Sequence, residues 1–235
     1  MKFKTLSIFA LASMAVAVNA QVNSYNCMDH IRNVGGLVST ANFGVNQRFE
    51  AGFSAFSGFV ADDCDVPTNG VIDRVAVAME FSNPATLNTL PTSITGWDIY
   101  GGTAAQLAGG GGLLATVANN AVVSNVASVA NSRIFELKNL NVRTPGGKMF
   151  LAVVPVMDFT PNGQTFILSN TTPLVMGSPA LGPNSQGFNP GNGFGLGTQV
   201  PVGTWAALAV NVVPEPASML ALGVGLVALA RKRRK

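Results

Sequence analysis

Three aspartates within four positions, Asp62, Asp63 and Asp65, form the one plausible ligand site in the sequence. Carboxylates this close repel one another, and a hard cation such as Ca²⁺, which binds about six to eight oxygens, would relieve the repulsion. Asn69 and Asp73 could supply further oxygens. The EF-hand pattern is absent, however, and Asp and Asn also cluster in ordinary turns because their side chains bond nearby backbone groups. A calcium site and a solvated acidic turn are therefore both open.

Catalytic chemistry has few residues to use. His30 is the only histidine, so a zinc site built from several histidines is excluded, and a Ser-His-Asp arrangement would have to use this residue. No Gly-x-Ser-x-Gly sequence occurs, and no phosphate-binding loop follows a strand-like segment. We therefore predict no catalytic residue and no enzyme activity. A secreted hydrolase with an unrecognised site is the least favoured function.

The strongest functional signal lies in residues 213–235. Pro214 and Pro216, on either side of Glu215, stop a helix from extending upstream and leave an extended segment that a processing enzyme could grip. The apolar run that follows would form a helix of only about 21 Å, short of the roughly 30 Å hydrocarbon core. The basic cluster after it should stay in the cytoplasm by the positive-inside rule. Representative helix positions are Ala217, Leu222, Leu226 and Ala230, and the basic tail is Arg231, Lys232, Arg233, Arg234 and Lys235.

A Pro-Glu-Pro turn, a short hydrophobic helix and a basic tail in this order resemble the PEP-CTERM sorting signal of Gram-negative bacteria that export exopolysaccharide. The resemblance implies that exosortase, a membrane enzyme, recognises and processes the motif. It also implies a precursor anchored in the inner membrane and a product at the cell surface or in the extracellular matrix. An ordinary single-pass anchor with a proline-rich stem is the alternative.

Residues 1–20 have the features of a secretory signal peptide. Lys2 and Lys4 form a positive start, the following stretch is apolar, and a small-x-small cleavage site ends at Ala20. We predict export through the general secretion machinery and cleavage by signal peptidase between Ala20 and Gln21.

Removing the two terminal signals reverses the net charge. Of 14 Lys and Arg, two lie in the signal peptide and five in the tail, which leaves seven; ten of the 11 acids lie in residues 21–213, so this part carries about −3. It contains no basic cluster, and a nucleic-acid-binding domain would need one. We therefore predict no nucleic-acid partner.

Cys27 and Cys64 are the only cysteines. An even number in an exported protein favours a disulfide between them. The bond would close a loop of about 38 residues, for which the chain-entropy model gives about 4 kcal/mol of stabilisation as an upper figure. Two free thiols, or pairing between molecules, are the alternatives.

The intervening residues 21–212 predict one all-β domain. Residues 71–81 and 94–100 alternate with the period of two that strands have. Turn signals separate the runs, and no convincing amphipathic helix appears. Eight or more strands favour a single β-sandwich, jelly-roll-like in form. The further strand-like runs are 113–117, 121–130, 133–140, 148–157, 164–169 and 204–213.

Short sequences in this domain are similar to the β-sandwich ectodomains that often precede a PEP-CTERM signal. The related domains commonly have an aromatic residue where this chain has Cys64, so the local packing should differ. The likeness implies a fold rather than an activity. The matching segments are Ala61-Asp62-Asp63 before Val66-Pro67, Ile72-Asp73-Arg74-Val75 and Trp97-Asp98-Ile99-Tyr100.

Two segments do not fit the strand pattern. The glycine run in residues 108–112 predicts a flexible loop. Residues 177–203 are rich in Gly and Pro and predict a long loop that is either functional or disordered. Phe188 and Phe194 within it could stack on sugar rings, although folding back to cap the sandwich edge is the more common role.

Two non-enzymatic functions follow. The leading one is an exported surface or matrix protein that exosortase sorts and that associates with exopolysaccharide in a biofilm. The alternative is a lectin-like carbohydrate-binding module that uses residues 177–203 or the Asp62 cluster. Calcium is the one cofactor considered.

Overall fold

The computed structural model describes residues 25–26, 37–39, 44–66, 70–126, 129–170, 185–202 and 205–214. These ranges are mostly strand. The strands are β1 (Tyr25–Asn26), β2 (Leu37–Ser39), β3 (Phe59–Val66), β4 (Gly70–Phe81), β5 (Gly96–Gly102), β6 (Leu113–Ala118), β7 (Val122–Asn125), β8 (Ser132–Leu137), β9 (Val142–Arg143), β10 (Gly147–Val156), β11 (Thr165–Asn170), β12 (Gln186–Phe188), β13 (Gln199–Pro201), β14 (Trp205–Ala206) and β15 (Leu208–Pro214).

The strands form two sheets. One has six strands in the order β13-β12-β3-β10-β5-β6, and the other has nine strands around the long strand β4. One edge of β4 pairs with β15 and then β11, and the other edge pairs with β9 and then β8. The strand β1 extends the sheet beyond β15, β7 extends it beyond β8, and β11 also pairs with β2 and β14. All of these ladders are antiparallel.

The main core lies between the two sheets. Trp97 of β5 and Leu151 of β10 come from the six-stranded sheet, and Phe81 of β4 and Phe135 of β8 come from the nine-stranded sheet. The Trp97 and Phe135 ring centroids are 5.1 Å apart, and those of Phe135 and Phe81 are 5.9 Å apart. Full burial of a phenylalanine side chain contributes about 1.5–3 kcal/mol, so this cross-sheet cluster holds the sandwich together.

A second, smaller cluster covers the outer face of the six-stranded sheet. It contains Phe59 of β3, Val154 of β10 and Phe188 of β12. The short helix Ala104–Ala108 lies on this face and contributes Leu107, which is fully buried. Thr103 starts the helix with a capping box, because its hydroxyl accepts from the Gln106 amide and the Gln106 side chain accepts from the Thr103 amide.

The remaining helices among the described residues are also short. They are the 3-10 helices Ala51–Phe56 and Pro84–Asn88 and the single turns Leu90–Ser93 and Phe159–Asn162. In the part of the chain that the structure covers, no helix has both the length and the apolar character that a membrane crossing requires. The predicted signal peptide and the predicted membrane helix fall outside these residues.

The all-β sandwich prediction is confirmed. Two local expectations are wrong. The segment with Asp62 and Asp63 is part of strand β3 rather than a turn, and residues 186–201 form a hairpin in which β12 pairs with β13. The strands predicted at 71–81 and 148–157 agree closely with β4 and β10.

Candidate functional site

The sorting segment begins where the folded domain ends. The strand β15 runs beside β4, and its final residue Pro214 lies opposite Gly70. Proline is tolerated at this position because the strand finishes there and no further ladder amide is required. Glu215, Pro216, the helix positions, the basic tail and the cleavage site at Ala20 and Gln21 lie outside the described residues. In the sequence, Glu215 and Pro216 therefore directly follow the last sandwich strand.

Asp62 lies between the sheets. Its side chain is 5% exposed and shares the inner face of β3 with Val60 and Cys64. One carboxylate oxygen accepts from the Ala206 amide at 2.9 Å, and the other accepts from the Asp63 amide at 3.0 Å. Burial raises the pKa of Asp62 to about 7; the bond from Ala206 opposes this rise, and the charge of Asp63 adds to it. Asp62 thus links β3 to β14 across the sandwich.

The strand places Asp62 and Asp63 on opposite faces, because successive side chains alternate. Asp63 is half-buried on the outer face. The side chain of Asp65, and Asn69, lie outside the described residues. In the part of the chain that the structure describes, no group of three or more His, Cys, Asp or Glu side chains is placed to hold a metal ion. The calcium site stays a prediction.

Cys64 is 2% exposed on the inner face of β3, opposite Met149 of β10. Cys27 follows β1 and lies outside the described residues, as does His30. No disulfide occurs among the described residues, and the Cys27–Cys64 bond stays a prediction.

We expect the mature protein, handled without reductant, to contain a crosslinked peptide joining Cys27 and Cys64, because export exposes the two cysteines to an oxidising compartment. Alkylation must be done in denaturant, since burial shields Cys64 from reagents. Peptide mass spectrometry then reads the pairing. If both cysteines are alkylated before any reduction, the disulfide is ruled out.

A groove of about 450 Å³ opens on the outer face of the six-stranded sheet. Phe59, Tyr100 and Val154 line it on the sheet side, and the 3-10 helix Ala51–Phe56 forms one wall through Ala51 and Ser54. The Phe59 and Tyr100 rings are stacked, with centroids 4.5 Å apart and planes 12° apart. The sequence did not reveal this groove, because its parts come from distant segments.

Arg48 is the only charged side chain among the described residues that line the groove. Its Nε lies 2.6 Å from Oδ2 of Asp98, which is fully buried in β5, while the Arg48 side chain is 45% exposed. The Thr116 hydroxyl donates to the other oxygen of Asp98 at 2.6 Å. The backbone of Arg48 is fixed by bonds to Pro155 and Met157. The guanidinium is therefore held in one orientation at the mouth of the groove.

Tyr100 also faces Asp98, with its hydroxyl 3.5 Å from Oδ2. Burial, followed by the charge of Asp98, raises the pKa of Tyr100 to about 12. The phenol therefore stays protonated at neutral pH and acts as a donor. Asp98 and Tyr100 are two apart in one strand, so the sequence could place them on one face, but nothing in it pointed to Arg48 as their partner.

The hairpin between β12 and β13 also lines the groove, through Pro190 and Gly191, and packs against the 3-10 helix. Asn189 donates to the carbonyls of Ala55 and Ser57, and the Gly193 amide donates to Ala55 at 2.9 Å. A Cβ on Gly191 would lie 2.6 Å from Cα of Ala55, so only glycine allows this approach. Part of the glycine content of residues 177–203 is explained by this packing.

The two phenylalanines of that hairpin have different surroundings. Phe188 is 2% exposed and packs against Phe59, as expected for a side chain that caps the sandwich. Phe194 is half-buried and meets Phe56 edge-on, with ring centroids 5.4 Å apart. Because Phe188 is buried, a sugar ring cannot stack on it. The ring of Phe194 is partly covered by Phe56.

Comparison with known families decides the role of the C-terminal segment. The model of the PEP-CTERM protein-sorting motif matches residues 212–235. These residues are a PEP-CTERM sorting motif. The PEP-CTERM motif makes exosortase the processing partner and implies an exported protein that is membrane-anchored before processing. The match begins at Val212, inside β15, so the motif overlaps the last strand of the sandwich. Neither the curated proteins nor the solved structures gave a match to the chain.

Proposed function

We propose that the protein is a non-catalytic component of the cell surface or extracellular matrix of a Gram-negative bacterium, associated with exopolysaccharide in a biofilm. Secretion begins with the signal peptide and signal peptidase, and exosortase processes the inner-membrane precursor. The observation that carries the proposal is the PEP-CTERM motif, which begins within β15 and continues beyond its end. Processing after Pro214 would release a complete sandwich, since β15 ends at that residue.

The polar groups in and beside the groove support the proposal that the protein is not an enzyme. Arg48 and Asp98 are paired with each other, and Tyr100 stays protonated. With a pKa of about 12, the Tyr100 phenol is not poised to transfer a proton near neutral pH, as a general acid or base would be. The arrangement suits binding rather than bond cleavage.

Fractionation of the producing bacterium tests the matrix assignment. Wild-type cells should carry the processed protein in the exopolysaccharide fraction, and cells without exosortase should retain it in the inner membrane. Enzymatic removal of the polysaccharide should release the protein into the medium. Recovery of the processed protein as a freely soluble species, with the polysaccharide intact, would contradict the proposal.

The lectin-like function is the second candidate, and the groove favours it. Apolar ring surface from Tyr100 and Phe59 lies beside an oriented guanidinium, and the helix wall adds the Ser54 hydroxyl. Sugars offer apolar ring faces and hydroxyl groups together, and binding sites generally combine an apolar lining with a few oriented polar groups. A chain of matrix polysaccharide is the ligand that matches this surface.

We expect Ser54→Trp to weaken binding of the protein to the producer's polysaccharide by about tenfold or more, equivalent to about 1.4 kcal/mol, because the indole would fill the groove. Affinity electrophoresis in polysaccharide-containing gels measures the change. The matched control is Asn88→Trp, since Asn88 is also an exposed residue of a 3-10 helix and does not line the groove. Equal retention of the two variants would reject the groove as the binding site.

A further inference from the structure

One side of the sandwich consists of two neighbouring edge strands. The strand β6 ends the six-stranded sheet, and β7 ends the nine-stranded sheet beyond β8. The two strands follow each other in the chain. Among the described residues, β6 pairs only with β5 and β7 only with β8. We call residues 113–125, which contain both strands, the open edge.

Three large apolar side chains of the open edge are accessible. Val122 is 53% exposed, Val123 is 43% exposed and Leu113 is 50% exposed. Val122 and Val123 are adjacent in β7 and therefore point to opposite faces of the sheet. An edge strand that exposes valine on both faces also presents a row of backbone N–H and C=O groups that another strand can bond.

No charge protects this edge. From Ile99 to Ser132 the sequence contains no Asp, Glu, Lys or Arg. Proteins commonly guard edge strands with lysine, proline or very short strands. The opposite edge of the six-stranded sheet follows that rule, because β13 has only three residues and ends at Pro201. The open edge contains no lysine and no proline, and its strands β6 and β7 have six and four residues.

The absence of charge indicates which partner would pair with the open edge. Pairing of an edge with the same edge of another molecule brings identical residues near one another, and like charges directly opposite each other destabilise a sheet. An uncharged edge carries no such penalty, whereas it offers nothing to attract a charged partner. We propose that β7 pairs antiparallel with β7 of a second copy of this chain, so that the nine-stranded sheet continues across a twofold axis.

Such pairing would use main-chain hydrogen bonds for affinity and the exposed valines for packing, as in other complexes formed by strand addition. It needs no change in the sandwich, because the edge is already extended. It is independent of the groove, which lies on the outer face of the six-stranded sheet. In a matrix, pairing of this kind would join two polymer-bound molecules and raise their avidity.

Sedimentation velocity of the protein purified from the producing cells tests the inference over a range of concentrations. Wild-type protein should form dimers, and Val123→Lys should raise the dissociation constant by about tenfold or more, because pairing of two four-residue strands would bring one lysine from each copy close together. Val122→Lys provides the same test on the other face of the strand. Val123→Thr should preserve dimerisation, since threonine keeps the strand preference and carries no charge.

The control is Leu196→Lys, which also adds one positive charge at an exposed apolar position but lies away from the open edge. It should dimerise like the wild type. Circular dichroism should give the same β spectrum for every variant, because each position is exposed. A wild type that stays monomeric, a lysine at 122 and at 123 without effect, or an equal loss with Leu196→Lys would each overturn the inference.

Discussion

Replacing Pro214, Glu215 and Pro216 with alanines should leave export intact and stop processing, so that a precursor heavier by the tail accumulates in the membrane. The PEP-CTERM motif is what exosortase recognises, and these residues connect β15 to the apolar run. Alanine also permits the helix that the prolines prevent, which would remove the extended segment that a processing enzyme can grip. Immunoblots of membrane and extracellular fractions, with intact-mass measurement, read the outcome.

Pro201→Ala supplies the control. Pro201 is an exposed proline at the end of β13, so this variant tests loss of a strand-terminal proline away from the motif. It should be processed like the wild type. Because Pro214 lies opposite Gly70 at the end of the ladder, its replacement should not unfold the sandwich. An unchanged mass and an unchanged release of the triple variant would show that the motif has no role in processing.

Most of the strands can be predicted because their side-chain pattern records burial directly. In β4, Val75, Val77 and Met79 alternate with small residues, and the long apolar run of β10 fits a strand covered on both faces. Hydrophobic alternation depends on local sequence alone, so it can be recognised without knowledge of the tertiary structure. The ends of β4 and β10 differ by at most one residue from the predicted runs 71–81 and 148–157, whereas the run 121–130 ends five residues beyond β7.

The strand β3 could not be predicted, because its acidic residues indicate a turn. Asp62 occupies an inward position among Val60 and Cys64, where an isolated charge would be costly. Two backbone amides satisfy its oxygens, and one of them belongs to Ala206, far along the chain. That partner exists only in the folded sandwich, so the sequence pattern alone cannot distinguish a buried acid from a solvated one.

The groove, like β3, could be predicted only in part from the sequence. The alternation of β5 places Asp98 and Tyr100 on one face, and this much follows from the sequence. Arg48 comes from a separate segment whose backbone is fixed by the end of β10. The glycines at 191 and 193 suggest a loop until their contact with Ala55 is known. Contacts between segments that are distant in the chain leave no periodic pattern in the sequence.

Asp62→Asn should remove a pH dependence that the wild type shows. Because burial raises the folded-state pKa of Asp62 from 3.8 to about 7, the folded protein binds this proton more tightly than the unfolded chain does. The free energy of unfolding of the wild type should therefore fall as the pH rises from about 4 to about 7 and then level off. The full shift corresponds to at most about 4 kcal/mol.

Asparagine is close in shape to the protonated acid and cannot ionise, and its one carbonyl oxygen can still accept from Ala206. The variant should be less stable than the wild type by up to about 3 kcal/mol near pH 4, the cost of one lost acceptor, and should exceed its stability near pH 8 by about 1–4 kcal/mol, the lower figure including the same cost. Urea unfolding, monitored by circular dichroism at each pH, measures the free energy of unfolding of the wild type and of the variant. Asp63→Asn is the control, since it changes the neighbouring charge and leaves the titrating group in place.

Calcium separates the two interpretations of the acidic segment. If Ca²⁺ binds Asp62, Asp63 and Asp65, millimolar Ca²⁺ should stabilise the wild type at pH 8 by about 2.7 kcal/mol at a hundredfold excess over Kd, and the triple Asp→Asn variant should lose this gain. A bound cation would also keep Asp62 ionised and flatten the wild-type pH profile. If Asp62 is instead a buried acid that needs no metal, Ca²⁺ and EDTA leave the melting temperature unchanged while the pH dependence persists. An Asp62→Asn protein that is less stable than the wild type at pH 8, without Ca²⁺, would contradict the buried-acid interpretation. In that case the ionised carboxylate would stabilise the fold by more than the free-energy penalty of burying its charge.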